Sequence, residues 1–518
     1  MTRIWSLLLI ASLTVGAAQH SFVTTMLQRG DVAAARHASP LACDSLASIS
    51  LAHVTIASAR VIAAGTFAPA GGGATAPYRG LPAFCRVVAT VRPTPESEIA
   101  IEVWAPAANW NGKFAAVGNG AFSGSIPTGA MASALARGYA VASTNTGHNG
   151  GSAHFALESR DKVVDFGWRA VHEMTVVGKA LVTAFYGNAP AHAYWDGCSA
   201  GGRQALMEAQ RFPMDFDGII AGSPGLDWTG RASQAVRVAQ ALEPHAEARL
   251  GATARTLLHG AVVSACDALD GVRDGLIDDP RRCSFDPGIL ECRDSARADC
   301  LTTTQVATAR LIYSPMLNRT TGRQVPGLSR GSELGWTDLG WTASARATGL
   351  DQFRYIVMRD SAWTIDRFRA DVDVARAESD DEHTLNAMDP SLRPFFDRGG
   401  KLIQYHGWSD PQIAPASSVQ YYESVLAVLG SGIDAAYRLF MVPGMGHCGG
   451  GEGPSVFDMM AALERWVERQ QPPDQILASH VSAGAVDRTR PLCPYPRRAV
   501  YRGTGSIDDA ASFECRAP

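Results

Sequence analysis

Residues 192–212 read HAYWDGCSAGGRQALMEAQRF. The start is rich in aromatic residues and has strand character, and the end, from Ala200 onward, is made largely of helix formers. Between them lies Gly197-x-Ser199-x-Gly201. A strand that turns directly into a helix needs residues without a Cβ at the corner, and such a corner lifts the serine Oγ above the edge of a sheet. The N–H of Ala200 then sits at a helix N-terminus, where it can stabilise an oxyanion. A glycine-rich corner with no chemistry is the alternative reading of the same residues.

The flanking sequence supports a sheet. Glu98–Pro106 (EIAIEVWAP) alternates, and Lys113–Gly120, Tyr139–Gly147 and Phe216–Pro224 read as buried strands. Trp168–Gly187 carries apolar residues at helical spacing. Alternating strands and helices predict an α/β fold with a mostly parallel sheet covered on both faces. The rhythm breaks at about Gly225, and strand signals resume at Lys401–Asp410 and Tyr437–Cys448, with a helix from about Ser455 to Arg469. Residues 226–398 are therefore expected to form an inserted lid domain between two catalytic-domain segments, 19–225 and 399–518.

A nucleophilic serine needs a base, and the base needs an orienting acid. In an α/β-hydrolase the chain order is serine, acid, histidine, each on a loop after a strand. Asp410 follows the apolar KLIQYH segment and precedes Pro411, and His447 follows RLFMVPGMG. His406 lies inside the strand that would carry the acid and is read as a packed histidine; His480 sits in no recognisable loop. A second oxyanion donor is expected in Gly118–Gly124 (GNGAFSG), at Gly120.

The cysteines bear on this arrangement. There are ten. Short spacings propose Cys266 with Cys283, Cys292 with Cys300 and Cys493 with Cys515, and Cys43 with Cys85 is the natural pair near the start. Spacing alone leaves the connectivity open. Zinc is set aside because no C-x-x-C pair or His/Cys cluster occurs. Cys198 and Cys448 remain, directly beside Ser199 and His447. Bonding between Ser199 and His447 would bring those cysteines close to the Cα separation of about 5.5–6 Å that a disulfide needs. Cys198 is accordingly expected to be a staple; the rival reading, a cysteine nucleophile, is disfavoured by the even count and by an oxidising compartment.

Export is expected from the first residues, MTRIWSLLLIASLTVGAA, which have the basic, apolar and small-residue order of a signal peptide (residues 1–18). The location implied is secreted or periplasmic. The chain of 518 residues has a net charge of −4, too weak a field to imply nucleic acid or an anionic membrane as partner. One acidic loop stands out, CDALDGVRDGLIDDPRRC, residues 266–283. Asp267, Asp270, Asp274, Asp278 and Asp279 crowd there, which favours a hard cation with oxygen ligands. It is not an EF-hand, since Arg281 stands where the twelfth-position glutamate would be. A solvated acidic turn is the alternative.

With GCSAGG, GWSDPQIAP and GMGHCGG in place, the sequence resembles the tannase and feruloyl esterase family, which also includes mono(2-hydroxyethyl) terephthalate hydrolases. The resemblance runs from Cys43 to Cys515. It implies an α/β-hydrolase fold with a large inserted lid, and a carboxylic ester hydrolase with Ser199, Asp410 and His447 as triad and a Cys198–Cys448 disulfide. It also implies a structural Ca²⁺ in the lid, held by Asp267, Asp270 and Asp274 and by the carbonyls of Val272 and Leu276. The substrate expected is a small aromatic ester of the feruloyl, galloyl or terephthaloyl type. Trp336, Trp341, Trp363 and Arg354 are candidates to read the acid, or else belong to lid core or surface. Two other functions are compatible with the residues, a secreted serine peptidase of the same fold and a non-catalytic calcium-stabilised binding protein.

Overall fold

The computed structural model describes residues 39–69, 75–293, 299–318, 322–337 and 343–517. The signal sequence and Trp341 lie outside the described residues. A nine-stranded sheet organises the chain. Its strands are β1 (Val54–Ile62), β2 (Phe84–Val91), β3 (Ile99–Pro106), β4 (Lys113–Val117), β5 (Ala140–Thr144), β6 (His192–Cys198), β7 (Gly218–Gly222), β10 (Lys401–Gly407) and β11 (Tyr437–Val442). A two-residue hairpin, β8 (Met316–Leu317) with β9 (Gln324–Val325), lies between β7 and β10 in the chain. The sheet order is β1-β2-β3-β5-β4-β6-β7-β10-β11. From β5 to β11 neighbouring strands run parallel, and β1 to β3 add an antiparallel wing. The first two strands precede the point where the sequence pattern began; β1 is a half-exposed edge strand.

The strand period of two divides the core between the faces. In β4, Phe114 and Ala116 pack with helices Ala170–Tyr186, Ala200–Arg211 and Ala416–Leu429. Ala115 and Val117 face the other way, towards helices Thr128–Ala136 and Met459–Arg469. Burying one large aliphatic or aromatic side chain contributes about 1.5–3 kcal/mol, so two filled faces hold the sheet flat against its helices. The helix expected from Trp168 begins at Ala170, after a π-helical turn at Asp165–Arg169, and stops at Gly187, whose φ is 75°.

Between β7 and β10 the described chain is mostly helical, with Trp228–Leu242, Ala252–Cys266, Thr303–Tyr313, Ala343–Asp351 and Ala370–Asp381. It supplies nearly all of two apolar clusters. One includes Leu258, Val262, Leu301 and Trp336, the other Phe353, Trp363, Phe368 and Val374. Trp336 and Trp363 are thus core of this insert and not reading heads for a substrate. Arg354 is half-buried, and its Nε donates to the Trp363 carbonyl at 3.0 Å. Beyond β11, two hairpins follow, β12 (Ile476–Ser482) with β13 (Ala485–Leu492) and β14 (Arg498–Tyr501) with β15 (Phe513–Arg516).

Candidate active site

Because β6, β7, β10 and β11 are adjacent and parallel, the loops after them meet at one edge of the sheet. Ser199 follows β6, Asp410 follows β10 and His447 follows β11. Ser199 has φ 64° and ψ −121°, a region that costs a non-glycine residue about 1–3 kcal/mol and persists only where surroundings enforce it. Two contacts enforce it here. The Ser199 N–H donates to the Gly222 carbonyl at 2.9 Å, and the Gly225 N–H donates to the Ser199 carbonyl at 3.1 Å. The glycines allow the close approach. A Cβ on Gly197 would lie 2.5 Å from the Gly201 carbonyl oxygen, and one on Gly202 would lie 2.3 Å from that of Gly222.

Ser199 Oγ is 2.9 Å from His447 Nε2, and His447 Nδ1 is 2.7 Å from Asp410 Oδ2. The carboxylate only accepts, so Nδ1 carries the proton, leaving the Nε2 lone pair of the neutral ring facing the serine. Asp410 is fully buried and is surrounded by donors. Its Oδ1 accepts from the N–H groups of Gln412 (2.7 Å) and Ile413 (3.0 Å). Its Oδ2 also accepts from His406 Nε2 at 3.1 Å, and His406 Nδ1 meets Ser418 Oγ at 2.7 Å. Burial pushes the Asp410 carboxyl up, but His447 and His406 outweigh it and hold the group well below the usual carboxylate range. His406 is thus a packed histidine that orients the acid. His480 lies elsewhere, in β12, with its Nδ1 2.6 Å from Asp487.

Cys198 and Cys448 are joined, with Cα atoms 6.0 Å apart. The other pairs are Cys43–Cys85, Cys266–Cys283, Cys292–Cys300 and Cys493–Cys515, and no cysteine is free. The loop 118–124 lies on the first turn of the serine helix. There the Asn119 N–H donates to Gln204 Oε1 at 3.1 Å, and Asn119 Nδ2 donates to the carbonyls of Ser125 and Thr144. Gly120 is exposed at that loop, with open space where a Cβ would be. The amides of Ala200 and its successors, at a helix start, have no intrahelical acceptor. Sequence reading missed the buried aromatic core beneath them: Phe122, Phe155, Phe166 and Trp228 pack with Ala200. These come from distant segments, and no local pattern marks them.

In the acidic loop, three aspartates fold onto their own backbone. Asp267 Oδ1 accepts from the Asp274 N–H, Asp270 Oδ1 from Val272 and Asp274 Oδ1 from Leu276. Asp274 Oδ2 pairs with Arg490, and Asp278 Oδ2 is buried without a partner. Among the described residues, no three carboxylate, imidazole or thiol side chains converge as a metal-holding group; two of the five ligands expected here are backbone carbonyls.

The model of the family described as tannase and feruloyl esterase matches residues 85–516. The chain belongs to this family. It is 37% identical to an uncharacterized esterase of Xanthomonas campestris, over 92% of this chain and 91% of the relative. It is 31% identical to feruloyl esterase B of Aspergillus niger, over 90% and 94%. The crystal structure of feruloyl esterase B from Aspergillus oryzae superposes with a TM-score of 0.85 at 31% identity, covering 92% of this chain and 99% of that one. Tannin acyl hydrolase from Aspergillus niger shares the fold, with a TM-score of 0.76 at 22% identity over 92% and 95%. The protein is a carboxylic ester hydrolase with an α/β-hydrolase fold. Among the described residues no helix is long and apolar enough to cross a membrane.

Proposed function

We propose that the protein is an exported serine esterase that cleaves esters of aromatic acids through an acyl-enzyme. The observation that carries this is the line from Ser199 Oγ to His447 Nε2 (2.9 Å) and from His447 Nδ1 to Asp410 (2.7 Å), on a strained turn at a helix start. His447 Nε2 takes the Ser199 proton as Oγ attacks the ester carbonyl. Asp410 stabilises the imidazolium that results, and the N–H groups of Ala200 and Gly120 hold the oxyanion. The imidazolium then protonates the departing alcohol. In the second half His447 draws a proton from water, which attacks the acyl-enzyme and releases the acid and Ser199.

An aromatic acyl group is supported by the name of the relatives, feruloyl esterase. Export is supported by the ten cysteines in five disulfides, which oxidising compartments preserve. The acidic loop suits Ca²⁺ in its donor chemistry: carboxylates of Asp267, Asp270 and Asp274 close together in the chain, a buried unpartnered Asp278 oxygen in the same loop, and a disulfide closing it. Those three side chains and the Val272 and Leu276 carbonyls would hold the ion, which would stiffen the insert.

The test is product release from methyl ferulate, methyl gallate, mono(2-hydroxyethyl) terephthalate and a short p-nitrophenyl ester, with Ser199→Ala as blank. Turnover of an aromatic-acid ester that vanishes in Ser199→Ala is expected. Near-wild-type turnover by that variant refutes the nucleophile, and activity on the p-nitrophenyl ester alone refutes the aromatic acyl preference.

A further inference from the structure

The loop that carries His447 is glycine-rich and closes on itself through the Gly446 N–H on the Gly450 carbonyl and the Gly453 N–H on the Gly444 carbonyl, both at 3.1 Å, while the Ser409 N–H donates to the Met445 carbonyl at 3.0 Å. Residues 444–453 read GMGHCGGGEG, and Cys448, Gly449, Gly450 and Gly451 all have positive φ. Such a segment visits many conformations unless it is tied down. One tie is the Cys198–Cys448 disulfide, on the side of the serine turn. Another, made by side chains, comes from the insert. Glu452 Oε2 is 2.8 Å from His259 Nε2, and His259 Nδ1 is 2.8 Å from Glu333 Oε2. Both ring nitrogens face carboxylate oxygens, which only accept, so this ring binds as an imidazolium donating twice.

The far end of the clamp is rigid. The Glu333 side chain is 0% exposed, and its Oε1 accepts from the Tyr313 hydroxyl at 2.6 Å and from the Gly331 N–H at 2.7 Å. The His259 side chain is 10% exposed and sits on the helix Ala252–Cys266. Glu452 is the half-open end, at 55%. Other charged groups nearby are committed elsewhere: Arg330 lies over the Tyr313 ring at 4.8 Å, and Arg255 donates to the carbonyls of Leu250 and Trp336.

We propose that His259 is a positioning residue for ester hydrolysis, an imidazolium clamped between Glu333 of the insert and Glu452 of the histidine loop that keeps His447 aligned with Ser199. The inference rests on the reading of Ser199 and His447 as nucleophile and base. It gives the insert a part in the chemistry, because the insert supplies the fixed point from which the base loop is held. Burial by itself would lower the His259 pKa, but hydrogen bonds and charge from Glu333 and Glu452 outweigh it and lift it to about 9. The clamp is closed at neutral pH and opens as pH rises through that value.

The experiment measures kcat and KM on a methyl ester of an aromatic acid from about pH 6 to pH 10. It compares wild type with His259→Gln, His259→Lys and Glu452→Gln, and uses Ser199→Ala as blank. Misplacing a base by about 1 Å costs up to roughly a hundredfold, so His259→Gln and Glu452→Gln should lose tenfold or more in kcat at pH 7 with KM little changed. Wild-type kcat should fall above about pH 9. That limb should be absent from His259→Gln and displaced upward in His259→Lys, which keeps its charge to higher pH. Glu452 is exposed, so its variant folds and keeps the test decisive even if position 259 tolerates no change. The proposal is overturned by wild-type kcat in Glu452→Gln, by a rise in its KM alone, or by an unchanged alkaline limb in His259→Gln. Hydrolysis surviving in Ser199→Ala would instead sink the underlying assignment of the nucleophile.

Discussion

Replacing Asp410 with asparagine changes one oxygen to an NH₂ group, and the surroundings dictate the outcome. Four donors converge on the carboxylate: the N–H groups of Gln412 and Ile413 on Oδ1, and His447 Nδ1 and His406 Nε2 on Oδ2. An amide has one accepting oxygen and one donating nitrogen. Backbone N–H groups cannot become acceptors, so the amide oxygen must stay on Gln412 and Ile413 and the NH₂ must face the histidines. His447 can then bond it only by accepting at Nδ1, which moves the ring proton to Nε2. A protonated Nε2 facing Ser199 cannot take its proton. The expected loss in kcat is about 10⁴-fold, equivalent to about 5.4 kcal/mol. Stability should fall less, by the roughly 1.5–3 kcal/mol of a hydrogen bond to a charged group.

The pH dependence provides a second readout. Asp410 is held below its unfolded pKa of about 3.9, so its contribution is present above that pH and is lost as pH falls through the lower folded value. Asp410→Asn should lose this part of the acid sensitivity of stability. The assay is kcat on the responsive ester, with thermal melts across the acid range and ¹⁵N chemical shifts to read the His447 tautomer. A variant within tenfold of wild-type kcat would refute the tautomer reasoning.

Removing the Cys198–Cys448 link as Cys198→Ser/Cys448→Ser opens a loop of 250 residues, worth at most about 5.5 kcal/mol by chain entropy; urea unfolding should show a lower midpoint, and an unchanged one would refute the staple. Gly202→Ala places a Cβ 2.3 Å from the Gly222 carbonyl oxygen and 2.9 Å from Pro224 Cα, both backbone. It should cost about 1–3 kcal/mol in stability and lower kcat by shifting Ser199, and wild-type values of both would contradict the close-packing account. Chelation with EGTA should lower the melting temperature and added Ca²⁺ should restore it, by about 2.7 kcal/mol at a hundredfold excess over Kd; no change in either direction would remove calcium from the acidic loop.

Much of the site was legible because its signals are local. Gly-x-Ser-x-Gly between a strand and a helix implies a sharp corner, and Asp410 and His447 each directly follow an apolar strand. The even cysteine count left Cys198 and Cys448 for each other. Trp336 and Trp363 show where such reading stops. Both are large aromatics in an irregular region, equally suited to a pocket or a core, and packing around Phe353, Tyr313 and their neighbours assigns them to the core. His259 carried no signal at all. It reads as one polar position on a helix, and its meaning comes from Glu452, 193 residues away.

By itself, the sequence determined the strand and helix periods, the corner at Ser199, the chain order of Ser199, Asp410 and His447, and the break in the strand rhythm between β7 and β10. Those are properties of neighbouring residues, set by backbone sterics and by which side chains seek burial. Tertiary structure alone decided that His447 faces Ser199 while His406 orients Asp410 and His480 pairs with Asp487. The chemistry of an imidazole depends on which groups the sheet order brings within hydrogen-bond distance, and that order joins segments far apart in the chain.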